Sequence, residues 1–197
     1  MATGKRAGGR KTDDVSQSAP HIGLLRAVNL AGINKVGMAD LRELLSGLGF
    51  QNVRTLLQSG NVVFENNGGS SAQVEAQLEK AIARTLGVST TVFIRSAAEW
   101  QSIIANNPFV REARDDPGHL LVMCLKREPD DAQATALKKA IVGREVAQVK
   151  GRQAYIVYPD GIGRSKLTNA IIEKALGTRG TARNWNTVLK LSALVQE

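Results

Sequence analysis

A single cysteine, Cys124, is all that the 197-residue sequence contains. It has no partner for an intramolecular disulfide, there is no CxxC pair, and the two histidines, His21 and His119, add no zinc-ligand spacing. Disulfide frameworks and zinc ribbons are excluded, no cofactor or metal is implied, and a reducing cytoplasm is the expected compartment. No apolar stretch approaches the roughly 18 residues needed to cross a bilayer, and residues 1–20 lack a signal-peptide core, so a soluble, unexported chain with no membrane contact is expected. Aromatic residues make up only 4%. The RNA-binding pattern of basic, glycine and alternating aromatics is missing, since QSGNVVF at 58–64 supplies one aromatic.

Charge is present but unevenly placed. The formal net charge is +8. Residues 1–20 are weakly basic, residues 21–137 are close to neutral, and residues 138–190 carry eleven lysines and arginines against Glu145, Asp160 and Glu173. A basic C-terminal third implies an anionic partner such as a nucleotide, a phosphorylated metabolite or a nucleic acid; a solvated basic face is the plain alternative.

Hydrophobic residues make up 43%, enough for a real core in one domain or two small ones. Residues 1–20 have almost no apolar content and read as a flexible tail. A strand is expected over 21–28, then a loop over 29–37. A helix follows in which Leu41, Leu44, Leu45 and Leu48 share one face. Strands over 53–58 and 61–65 are separated by Ser59-Gly60, which suits a two-residue hairpin turn. Ser70 or Ser71 caps a helix with Val74, Leu78, Ile82 and Leu86 on its apolar stripe, stopped by Gly87. A strand over 90–95 completes a βαββαβ order.

Ser96 and Glu99 have capping-box spacing and open a connecting helix carrying Trp100, Ile103 and Ile104. The polar stretch 111–118 reads as a loop. The order then restarts: strand 119–125, helix 131–142, strands 145–150 and 153–158 turning at Gly151, a helix marked by Leu167, Ile171 and Leu176, a short strand at 181–183 and a terminal helix over 185–194. The expected fold is therefore α+β, a tandem duplication of ferredoxin-like βαββαβ sandwiches with a connecting helix and a C-terminal helix. The lobes span 21–95 and 119–197, joined by 96–118.

Three segments, LLRAVNLAGINKVGMADLRELLSGLGFQNVRTLLQSGNVVFE, YPDGIGRSKLTNAIIEKALGT and TARNWNTVLKL, resemble domain-of-unknown-function family 1697, a mostly bacterial group of two-lobe α/β proteins. The likeness spans roughly residues 21–195. Ala31 stands where the family's Asn-x-Gly-Gly-x-Asn-Lys loop has a glycine. The resemblance implies a fold and no reaction.

Three clusters offer binding chemistry. Gly161, Gly163, Arg164, Ser165 and Lys166 run from a strand end into an expected helix N-terminus, with Ser165 as cap, and form a candidate anion cradle. It is not a P-loop, because Arg164 stands where that motif has lysine and Tyr158 where it has its first glycine. Arg26, Asn29, Asn34 and Lys35 follow the first strand, with Ser59 and Asn61 of the hairpin within reach if the first and third strands pair. Asn184, Trp185 and Asn186, with Arg183, place an indole between amides for stacking, although burial of Trp185 against a sheet is the structural alternative. These groups suit recognition more than catalysis. The histidines have no adjacent acidic residue, Cys124 lies inside an apolar run, and the pairs Asp115-Asp116 and Asp130-Asp131 do not converge on a metal. Binding of an anionic ligand is the leading expectation. An enzyme acting on a small anionic metabolite in an interlobe cleft, or a protein-interaction module, are its alternatives.

Overall fold

The computed structural model describes residues 18–30, 34–66 and 68–197. Of the expected tail, residues 1–17 lie outside the described residues, whereas Ala19 and Pro20 are in the first strand, paired with Asn66 and Glu65. The fold is α+β, with two four-stranded antiparallel sheets and seven α-helices among the described residues. In the first half β1 (Ala19–Leu25), α1 (Met38–Gly47), β2 (Gln51–Leu56), β3 (Asn61–Asn66), α2 (Ser71–Leu86) and β4 (Val92–Ser96) form a sheet of order β2-β3-β1-β4. α3 (Ala97–Ala105) and α4 (Val110–Asp115) lead to β5 (Leu120–Leu125). The second half continues through α5 (Asp131–Ala140), β6 (Val146–Lys150), β7 (Gln153–Val157), α6 (Asn169–Leu176), β8 (Gly180–Asn184) and α7 (Trp185–Gln196), and its sheet has order β6-β7-β5-β8.

Local chemistry sets most of these boundaries. Ser70 with Gln73, Ser96 with Glu99, and Asp130 with Gln133 each form reciprocal capping boxes. Asn184 caps α7, and Gly87 and Gly177 end α2 and α6 in the left-handed conformation.

Strand alternation sends side chains to two faces of each sheet. The outer face of the first sheet packs on α1 and α2 through Val62, Phe64, Val92 and Ile94, with Leu41 and Leu78 opposite. The outer face of the second packs on α5 and α6 through Met123, Leu125 and Ile156. The inner faces share a third core, in which Ile22, Leu24, Val63 and Phe93 meet Val122, Cys124, Tyr155 and Val157 around Trp100 of α3 and Trp185 of α7. The Trp100 indole N–H donates to Val188 O at 3.1 Å, and the Tyr155 hydroxyl donates to Ile103 O at 2.7 Å. Each large apolar side chain so buried contributes about 1.5–3 kcal/mol, so the lobes are held as one body.

Four sequence expectations are corrected. The β2–β3 connection is the four residues 57–60 rather than Ser59-Gly60 alone, because Leu57 (φ 58°) already leaves the strand in the left-handed region. Residues 111–118 are mostly helical: Phe109 is buried and anchors α4, and the Arg111–Asp115 pair one turn apart satisfies its polar face. Leu167 precedes α6. With Thr168 as the true cap, Ile172 and Leu176 face inward and Ile171 is exposed.

Candidate functional site

The three expected clusters fare differently. The 161–166 segment is not a helix N-terminus. Gly161 turns with φ 82°, Ile162–Arg164 make one 3₁₀ turn, and the chain is extended again at Ser165 and at Thr168, which caps α6. The cause is Leu167, which is buried and whose carbonyl accepts from the Tyr158 hydroxyl at 3.1 Å. Burial, and then the Glu145 carboxylate, push that hydroxyl up to about 12. Ser165 donates to Glu145 and accepts the Leu167 N–H at 2.9 Å, and that contact with Ser165 holds the Glu145 carboxyl below its ordinary range. A cavity of about 270 Å³ lies here, bordered by Arg144, Arg164 and Lys166 but also by Glu145 and Asp160. An internal carboxylate therefore already takes the hydroxyl of the expected cradle.

The first loop and the hairpin do converge. The Asn29 side chain, at φ 55°, donates to Val36 O at 2.9 Å and Gln58 O at 2.7 Å and accepts the Val36 N–H at 2.9 Å. Asn34 donates to Ala27 O at 3.2 Å. These amides lace the loop and are not free for a ligand. Lys35 is exposed on a different cavity, beside Asp40 and Glu43. Asn61 is fully buried, donating to Leu56 O and Ser59 Oγ, both at 2.9 Å.

Arg183 of β8 joins this group from the other half of the chain. Its Nε donates to Asn61 Oδ1 at 2.5 Å, and its Nη2 donates to Leu25 O and Ser59 O, both at 2.9 Å. Its Nη1 donates to Thr181 Oγ1 and Ala182 O, both at 2.9 Å. All its acceptors are neutral oxygens. Removal from water lowers its pKa to about 10. Arg26, just beyond β1, reaches across in the other direction to Glu173 of α6 through a two-point ion pair at 2.9 Å and to Gly180 O at 3.3 Å.

Between these bridges lies an interlobe cleft of about 430 Å³. Residues 25–28, Leu30, Leu57 and Ser59 wall it on one side, and Asn169, residues 181–184 and Thr187 on the other. It gathers Arg26, Ser59, Arg183 and Asn184 from the expected set, with Asn61 behind Arg183. Among the described residues its lining has two arginines and no carboxylate, histidine or cysteine. Asn184 is committed to capping α7 and accepts from Thr187 N and Oγ1. Trp185 is buried in the shared core, so it has no face for stacking, while Asn186 is exposed outside the cleft lining.

Sequence reasoning missed several residues here. Ala27 and Leu57 adopt left-handed φ of 54° and 58° without being glycine, and backbone strain of this kind collects at binding sites. Only motif position hinted at them. Leu30 and Leu57 are 59% and 54% exposed at the cleft. His119 does have an acidic partner, contrary to expectation: the turn brings its Nδ1 to 2.6 Å from Asp116 Oδ2, on the exposed surface away from the cleft lining. Burial pushes the Cys124 thiol up, against a nucleophilic role. Among the described residues no group of three or more His, Cys, Asp or Glu is placed to hold a metal, and no helix is long and apolar enough to cross a membrane.

No curated protein matches the chain. Its structure is similar to that of the conserved bacterial protein SP0830 from Streptococcus pneumoniae, with a TM-score of 0.72 and 21% identity over 91% of this chain and 99% of that one. At that identity the likeness is one of fold. The family model described as protein of unknown function (DUF1697) matches residues 19–155, which takes in the first of the three motif segments and both strands that bring Asn61 and Leu25 to Arg183. The chain belongs to that family.

Proposed function

We propose that this protein binds a small anionic ligand in the cleft between its two lobes. The observation that carries the reading is Arg183: a partly buried guanidinium lining a cavity, with five donors spent on neutral oxygens and no carboxylate among the described residues of the lining. A cation so placed stabilises an incoming anion, and a cavity of this size is within the range of small-molecule sites. Catalysis draws no support from the lining, which offers donors and acceptors but no acid-base pair. The basic C-terminal third is partly spent internally, since Arg144 pairs with Asp160, Arg152 with Glu99, and Arg183 bridges the lobes. The inner sheet faces are packed against each other, which argues against nucleic acid stacked on a sheet.

The shared strand order of the two sheets supports reading the lobes as ferredoxin-like units repeated in tandem, with the cleft at their junction. A protein of this kind, with one buried thiol, suits the cytoplasm.

The test is a thermal-shift panel of small carboxylates, inorganic phosphate and nucleoside monophosphates against the wild type, the Leu57→Asp variant and an Arg164→Ala/Lys166→Ala double variant. Leu57 is exposed at the cleft, so Leu57→Asp should fold and weaken binding by charge repulsion, while the double variant should bind as the wild type does. Binding lost in the double variant and kept in Leu57→Asp refutes the cleft and returns the site to the 161–166 loop.

A further inference from the structure

The two lobes carry matching arginines. Arg95, opposite Ile22 in the β1–β4 register, donates to Leu125 O at 2.7 Å and Arg152 O at 3.2 Å in the second lobe. Arg183, opposite Val122 in the β5–β8 register, donates to Leu25 O and Ser59 O in the first. Leu125 N–H donates to Arg152 O, and Leu25 N–H donates to Gly60 O, so Gly60 ahead of β3 occupies the place of Arg152 ahead of β7. Each arginine is followed by a helix cap, Ser96 or Asn184. The third position of the following helix is Glu99 in one case and Thr187 in the other.

The surroundings of the two arginines differ at those two positions. Around Arg95, Glu99 bonds Ser96 N–H at 2.8 Å and pairs with Arg152, and its carboxylate supplies the countercharge. Arg95 is 2% exposed, so that side is closed. Around Arg183, Gly60 brings no side chain and Thr187 brings no charge, and the space left is the cleft. Arg26 is already neutralised by Glu173, which leaves one positive charge without a countercharge among the described residues. Donors remain on the Ser59 hydroxyl, which accepts from Asn61 without an acceptor of its own among the described residues, and on Asn169 at the start of α6. Leu30 and Leu57 give the opening an apolar border.

We propose that the ligand is a small monocarboxylate with an apolar body, whose carboxylate takes the place at Arg183 that Glu99 takes at Arg95. This rests on the cleft-binding reading above and deepens it. A single net charge favours a monoanion over a phosphate dianion. The pairing with Arg183 is through charge, since its N–H groups all have acceptors, and the apolar part of the ligand covers Leu30 and Leu57.

The experiment measures hexanoate and inorganic phosphate binding, by calorimetry and thermal shift, to the wild type, Thr187→Glu and Thr187→Gln. Thr187→Glu recreates the capping box of α3 and sets a carboxylate beside Arg183, so the unliganded protein should gain about 3 °C in Tm and its Kd for hexanoate should rise at least about tenfold. Thr187→Gln can form the same capping box without the charge, so it should gain less, about 1 °C, with a smaller loss of affinity. Wild-type protein that binds hexanoate more tightly than phosphate, with this response to Thr187→Glu, supports the proposal. Binding of phosphate but not hexanoate overturns the carboxylate assignment while leaving the cleft reading intact. Hexanoate binding equal in Thr187→Glu and wild type, or lost equally in both variants with no gain in Tm, overturns the placement. No response to either anion in a wild type that also fails the wider anion panel removes the cleft reading itself.

Discussion

Replacing Arg95 with methionine is the sharpest test of how the lobes are joined. The guanidinium is 2% exposed and donates to Ile94 O at 2.8 Å, Leu125 O at 2.7 Å and Arg152 O at 3.2 Å. Hydrogen bonds from a charged donor are worth about 1.5–3 kcal/mol each, so three amount to about 5–9 kcal/mol before compensation. Methionine recovers part of this, because the cost of holding a guanidinium away from water disappears and its thioether fills much of the space. Against that, Glu99 loses one of its two nearby cations and the carbonyls of two lobes are left facing an apolar group. The expected net loss is about 4 kcal/mol, within the range for breaking a buried charged network, and for a chain of this size it lowers Tm by about 8–16 °C. Arg183→Met should cost less, about 2–3 kcal/mol, because Arg183 is only partly buried and cleft water can reach the carbonyls it leaves. Urea denaturation at pH 7 followed by tryptophan fluorescence reads both, since Trp100 and Trp185 lie in the shared core. An Arg95→Met variant within about 1 kcal/mol of wild type, or an Arg183→Met variant less stable than Arg95→Met, would refute the reasoning.

The remaining expectations are smaller in scope. Burial acts to raise the Glu99 pKa, but the Ser96 N–H and the charges of Arg152 and Arg95 together bring it below the ordinary glutamate value. Its stabilisation is therefore present above about pH 5 and is lost as pH falls through the folded value. The gap in stability between wild type and Glu99→Gln should close as acidification protonates the folded carboxylate, and a gap that widens on acidification would contradict the assignment. Gly60 has φ 71°, and a Cβ would lie 2.6 Å from Val28 Cγ2 and 2.7 Å from Leu25 Cβ, so Gly60→Ala should lose about 2–3 kcal/mol in denaturant titrations. Leu57→Gly removes left-handed strain at an exposed position and should raise stability by up to about 1 kcal/mol while weakening the ligand's apolar contact; unchanged stability and affinity would show that Leu57 is an ordinary turn residue. The Cys124 thiol is buried and its pKa raised, so it should resist disulfide exchange reagents in native buffer and react fully in denaturant.

What was legible in the sequence was legible for local reasons. The stripe Val74, Leu78, Ile82 and the stop at Gly87 describe α2 without reference to any other element. The capping box at Ser96 and Glu99 marks the start of α3 because cap and partner lie within one turn. The apolar run 121–125 reads as a buried strand, and β5 is buried throughout. Errors arose where a distant contact outweighed the local pattern. The glycines of 161–166 suggest a helix entry, yet Leu167 is drawn under Tyr158 and delays α6 until Asn169. Polar residues 111–118 suggest a loop, yet buried Phe109 ties them down as α4.

The sequence by itself determined the order of elements apart from α4, the apolar face of helices such as α2 and the presence of arginines and amides near strand ends, because each depends on residues within a turn or a strand of one another. Only the tertiary structure decided that Arg183 meets Asn61 across 122 residues and that Arg26 meets Glu173 across 147. It also decided that Glu99 closes one side of the interlobe junction while Thr187 leaves the other open. The physical reason is that the two inner sheet faces bury each other, and it is this burial that brings the opposite strand ends close enough for a guanidinium to span them.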